Sequence, residues 1–251
     1  MEVHAHSHTP RKKWTHYFWE FLMLFFAVFC GFLAENQREH FIEHRREKEF
    51  MASMLNDIRT DTAMLGLMNK TFADVANHID SLIPLLQLNN EMDKNAKNIY
   101  QHQVMLNLFA RWRYSDRTIS QLKNSGNFRL IRKKIVSDWI INYDGYVRSY
   151  VDDMQNEYIL PLWRAMNDAS IEIFHAGVFR KYFKSGSWGF LPVELPETPY
   201  FLSAEKYKLQ KFINQLEQYA VAIEWGNINI NNALDQAVKL DSLIKKEYHL
   251  K

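Results

Sequence analysis

Cysteine is nearly absent from this 251-residue sequence: Cys30 carries its only thiol. That excludes an internal disulfide and any zinc site built on several thiolates. Glycine and proline are sparse too, at eight and six residues, which argues against a turn-rich β protein. Charge of one sign is not in excess. The formal charge is +2, so nothing draws the whole chain toward nucleic acid. Catalytic signatures are missing: there is no G-x-S-x-G, H-E-x-x-H or C-x-x-C string and no phosphate-cradling glycine loop. No repeat and no low-complexity tract stands out.

What is present is a long apolar run. Across residues 17–34, eighteen positions, only Glu20 is charged. As a helix this run covers about 27 Å, close to the ~30 Å hydrocarbon core of a bilayer. Trp14, Tyr17 and Trp19 gather at one end, where amphipathic rings favour the headgroup layer. A cleaved signal peptide fits poorly, because a cut after Ala34 puts the large Phe32 at the −3 position. Cys30 is a poor lipoprotein cysteine, since Phe29 precedes it and the apolar run continues past it. The reading is an uncleaved anchor over 14–35, preceded by a disordered tail over 1–13. Residues 36–86 follow as a stalk and first bundle helix, and 87–251 as the remaining bundle. Arg11, Lys12 and Lys13 form the denser basic cluster. The positive-inside rule therefore places the N-terminus in the cytoplasm and the body in the periplasm of an inner membrane.

Several residues near the anchor could bind something. His4, His6 and His8 alternate in the tail and could share a metal ion if extended, although no surrounding fold supports them. Glu20 lies one turn after His16 and can pair with it, or serve a partner subunit from within the membrane. Ala27 and Gly31 form a small-xxx-small pair that lets two helices approach closely. His40-Phe41-Ile42-Glu43-His44 matches the inverted zincin string. It lies in a run of Arg and Glu beside the anchor, which reads as a solvated helix face. No metal or other cofactor is assigned.

The body reads as all-α. Met51, Leu55, Ile58, Thr62, Leu65, Asn69, Phe72, Ala76, Ile79, Ile83 and Leu86 alternate four and three apart, a seam for a partner helix with Asn69 setting register. Pro84 and the polar residues 87–98 end or kink this helix. A second helix is expected over 99–112. A short one over 117–124 is capped by Ser115 or Asp116 and stopped by Gly126 in a left-handed conformation. A long helix over 131–158 carries Val136, Trp139, Tyr143, Tyr146 and Tyr150 along one side, breaks or kinks at Pro161, and resumes to Phe183. Residues 184–201 are the one clear loop, rich in Pro and aromatics, with Trp188 and Phe190 as docking candidates. From Ser203 a last helix repeats the seam at Leu209, Ile213, Leu216, Ala220, Ile223, Asn227, Ile230, Leu234 and Ala237. Two long seams at opposite ends of the body suit antiparallel pairing in a bundle.

Residues 111–134 hold eight bases, Arg111, Arg113, Arg117, Lys123, Arg129, Arg132, Lys133 and Lys134, against one acid, Asp116. Such a patch can meet phosphates, lipid headgroups or an acidic partner, or be a surface with internal ion pairs. The excess is local, which disfavours nucleic acid.

Two stretches carry a resemblance. The run KKWTHYFWEFLMLFFAVFCGFLAENQREHFIEHRREKEF with MLNDIRTDT, and the segment TISQLKNSGNFRLI, resemble a family of uncharacterised bacterial single-pass membrane proteins, a domain of unknown function. The resemblance implies an N-terminal span and a helical body, and transfers no activity or site. The expected function is a membrane-anchored helical scaffold or accessory subunit, not an enzyme, that contacts membrane lipid and a protein partner or a second copy of itself. The alternative is a tethered ligand-binding sensor acting through a partner.

Overall fold

The structure, a computed structural model, describes residues 13–88, 91–107, 111–186, 189–192 and 201–250, with 182–192 described by backbone alone. The chain divides into two units, Met1–Glu49 and Phe50–Lys251. Helix α1, Trp14–Gln87, contributes to both. The tail histidines His4, His6 and His8 and the loop residue Trp188 lie outside the described residues.

In the first unit, α1 is apolar on every side. Phe21, Phe25 and Phe29 stack in succession with ring centroids 6.3 and 5.9 Å apart. No residue of the apolar window is buried by the protein, and the window is long and apolar enough to cross a membrane. The unit therefore presents an exposed apolar helix fit to be a single membrane span or a signal. The polar turns that follow are stabilised locally: Arg38 donates to Glu35 at 3.0 Å and Arg45 to Glu49 at 3.1 Å. Such i,i+3 and i,i+4 pairs are what support a helix that is polar all round.

The second unit is a helical bundle. In α1 its buried stripe is Met51, Met54, Leu55, Asp57, Ile58, Asp61, Leu65, Met68, Phe72, Val75, Ile79, Leu82 and Leu86. The expected seam shares Leu55 and every seventh residue from Met51 with this stripe, but from Asp61 onward its other half is displaced by one position: Thr62, Asn69, Ala76 and Ile83 are only half-buried. Helix α7, Lys206–Tyr248, shows the same displacement. Phe212, Tyr219, Gly226 and Ala233 are buried where Ile213, Ala220, Asn227 and Leu234 were expected. Spacing alone fits both stripes; packing of Phe72 against Gly226 selects one. A Cβ on Gly226 would lie 2.9 Å from the Phe72 ring and 2.9 Å from Ile159 Cδ1. Asn69 is therefore not a core register residue. At the half-exposed edge it donates to Asn231 Oδ1 at 3.0 Å. The core amide is Asn229, which accepts from the Tyr146 hydroxyl at 3.1 Å and donates to Met154 Sδ at 3.1 Å. The pairings 69 with 231 and 72 with 226 make α1 and α7 antiparallel.

Between them the chain returns along α1. Helix α2 is Met92–Met105, earlier than the expected 99–112; Trp112 lies beyond it, outside any helix, and is 2% exposed. Helix α3, Arg117–Asn124, and Gly126 at φ 66 match expectation. A continuous helical stretch then covers α4, Lys134–Tyr146, two π-helical segments, Val147–Asp153 and Gln155–Ile159, and α5, Leu160–Ser170. Pro161 does not break it. Its ring would press on the carbonyl four residues back, and the widened π turns before it relieve that contact.

The helix expected to run to Phe183 is interrupted after Ser170. A turn follows Ser170, then α6, Ala176–Tyr182, and a hairpin of β1, Phe183–Gly186, and β2, Gly189–Pro192. Phe190 pairs with Ser185 in this hairpin, so part of the expected loop is a two-stranded sheet. Its end is anchored: Phe201 bridges to Phe174 and stacks on Tyr100 at 5.3 Å. Burying such rings stabilises the closed end of the bundle by about 1.5–3 kcal/mol each.

Candidate functional site

The basic segment at 111–134 lies over a row of carboxylates that the bundle supplies from elsewhere in sequence. Asp57 on α1 is 5% exposed. Its Oδ1 accepts from Arg117 Nη2 at 2.9 Å and its Oδ2 from the Thr118 backbone N–H at 2.9 Å. Thr118 is the second residue of α3, so Asp57 satisfies a free N–H of that helix terminus from another helix. The expected caps, Ser115 and Asp116, make no side-chain cap. Asp116 instead accepts from Arg148 at 2.9 Å and from Ser120 at 2.9 Å. One turn along α1, Asp61 accepts from the Ser115 N–H at 2.9 Å and the Tyr143 hydroxyl at 3.0 Å. Asp144 on α4 accepts from Lys123 at 2.6 Å and Arg148 at 3.0 Å. The Arg148 guanidinium also stands 5.0 Å over the Tyr114 ring.

The bases are largely engaged. Arg117 and Lys123 pair with these acids, Lys133 with Glu247 at 3.3 Å and Lys134 with Asp138 at 2.7 Å. Arg132 also has an interaction partner. Arg111, Arg113 and Arg129 are exposed. The local excess of base in sequence is offset in space by Asp57, Asp138, Asp144 and Glu247.

Electrostatics single out Asp61. Burial raises its pKa from the ordinary 3.8 to about 6, against the hydrogen bonds from Ser115 and Tyr143, and the Asp57 charge adds to the rise. Burial likewise raises the Tyr143 and Tyr114 hydroxyls, with carboxylate charges of Asp61 and Asp144 adding to it. A carboxyl near neutrality beside a phenol resembles an acid–base pair, but Asp61 is 1% exposed and has no route to a substrate. The pair's evident effect is to tie α1, α4 and the segment before α3 together. These carboxylates escaped the sequence reading because a charged residue on a seam looked like its edge. Opposing carboxylates four apart on one stripe to a basic segment was the available signal.

The other candidates fall apart in space. Glu20 is half-buried and its Oε1 lies 3.0 Å from His16 Nε2. Ala27 and Gly31 are exposed, and nothing lies within 4 Å of where a Gly31 Cβ would stand. In the zincin-like string, His44 Nδ1 sits 3.3 Å from Glu47, and no group of three His, Cys, Asp or Glu suited to a metal occurs among the described residues. Phe190 is placed by its backbone in β2.

Two surface features were not anticipated. On α7, Val221, Trp225 and Ile228 form an exposed apolar stripe at i, i+4, i+7, and Tyr158 meets Trp225 edge-on at 5.5 Å. Between α1, the π segments and α7, a cavity lined by Met68, Phe72, Met154, Gln155 and Gly226 has about 10 Å³, room for one water. Compared with known protein families, curated proteins and solved structures, the chain matches none.

Proposed function

We propose that this protein is a membrane-anchored helical scaffold or accessory subunit, held in the inner membrane by residues 17–34 with its body in the periplasm. The observation that carries the reading is the pairing of two exposed apolar surfaces of different shape. The anchor is apolar all round and suits lipid; the stripe Val221, Trp225, Ile228 and Tyr158 is one-sided and suits a protein. Aromatic anchors of this kind dominate protein–protein contacts. The ion pairing of the basic segment argues against nucleic acid as the partner. A ligand sensor has less support, since the cavity between the long helices is water-sized.

The test is a photo-crosslinking residue at Trp225 in the full chain in native membranes, with the exposed Asp80 as control position. A discrete protein adduct from 225 and none from 80 is expected. No adduct from 225, together with a stoichiometric small molecule in native mass spectrometry, would overturn the scaffold in favour of the sensor.

A further inference from the structure

His78 on α1 and His102 on α2 meet across the helix interface. Their Nδ1 atoms are 2.9 Å apart and their ring centroids 5.1 Å apart, with planes at 59°. Both rings are half-buried. Burial lowers both pKa values below the ordinary 6.5; His78 lowers that of His102 further, while the Asp74 charge opposes the change at His78. At 2.9 Å one Nδ1–H donates to the other Nδ1 lone pair. Two imidazoles with adjoining Nδ1 atoms are what a borderline metal ion requires.

We propose that His78 and His102 form a two-imidazole site for a divalent late-transition-metal ion, Cu²⁺ in preference to Zn²⁺, that clips α1 to α2. At metal–nitrogen distances near 2.0 Å, a right-angled bite needs nitrogens about 2.8 Å apart, whereas a tetrahedral one needs about 3.3 Å. The observed 2.9 Å fits the tetragonal geometry of Cu²⁺. On binding, the donor ring moves its proton from Nδ1 to Nε2 and the rings turn until both lone pairs face the metal, with no net proton released. No third His, Cys, Asp or Glu completes the set among the described residues. Water fills the remaining positions, and the ion exchanges readily.

The test uses the full chain in detergent micelles with His4, His6 and His8 replaced by Gln, so that the tail does not compete. Cu²⁺ is expected to raise the unfolding temperature of this parent, Zn²⁺ to raise it less, and Mg²⁺ not at all, because the metal binds the folded chain. His78→Gln and His102→Gln each abolish the Cu²⁺-induced shift and weaken Cu²⁺ binding by at least about tenfold, no less than the loss of a supporting residue costs. Electron paramagnetic resonance, recorded far below unfolding, reads the site even if a variant is destabilised. The parent shows coupling to two imidazole nitrogens that each variant reduces to one. A Cu²⁺ shift and nitrogen pattern retained in both variants overturns the site, and a Zn²⁺ shift as large as that of Cu²⁺ overturns the preference.

Discussion

The two stretches of α1 show how one helix can be written for two environments. Residues 17–34 put apolar side chains on all sides, and none is buried by the protein. Residues 51–86 confine them to a stripe at three- and four-residue spacing, with Met51, Leu65, Val75 and Ile79 fully buried. Apolar content alone does not separate these cases. Distribution around the helix does, because lipid contacts every face and a partner helix contacts one.

The sharpest way to break this contrast is to truncate a ring in each stretch. Phe72→Ala removes a ring 1% exposed that packs on Gly226, and destabilises the body by about 3–5 kcal/mol. Phe25→Ala leaves the unfolding midpoint of the body unchanged, as denaturation of both variants in micelles will show. Equal losses would mean that the two stretches share one environment.

Asp61 is, with Asp57, one of two carboxylates on the buried stripe, and its contribution depends on pH. Its pKa is higher folded, about 6, than the ordinary 3.8, so the folded chain holds the proton more tightly and protonation favours folding. The contribution is full below pH 3.8 and is lost as pH rises through about 6, a change of about 3 kcal/mol. Carboxylates with lowered pKa, such as Asp116, act in the opposite sense, so the readout is the difference between parent and Asp61→Asn. That difference shifts in favour of the variant between pH 4 and 7; a flat difference would remove the buried-proton account. The smallest effect is expected at the other carboxylate of the stripe. Asp57→Ala frees Arg117 and the Thr118 N–H, costs about 1–2 kcal/mol, and raises hydrogen exchange in the first turn of α3.

The all-α body, the long terminal helices, α3 and the left-handed Gly126 were legible because each rests on a local rule of periodicity or capping. The finer core was not. Asp61 and Gly226 occupy seam positions that read as polar and as a gap, so the expected seam falls on Thr62 and Asn227, one residue away. Only contact between distant segments shows that Asp61 meets Tyr143 and that Gly226 admits Phe72. The π turns before Pro161 were hidden for the same reason, since a proline in isolation signals a break. The basic segment reads in sequence as a surface with internal ion pairs, and its counter-charges, which sequence could not name, come from α1, α4 and α7. His78 and His102, 24 residues apart, carry no local signal at all.

The anchor can be tested through the chain's lone thiol. Cys30 is exposed, so no part of the protein shields it, and the body has no other cysteine to react. In permeabilised membranes from cells making the full chain, a water-soluble maleimide should leave Cys30 unlabelled, then label it fully once SDS dissolves the bilayer. Full labelling before detergent would show that residues 17–34 lie in water, and the membrane-anchored account would be wrong.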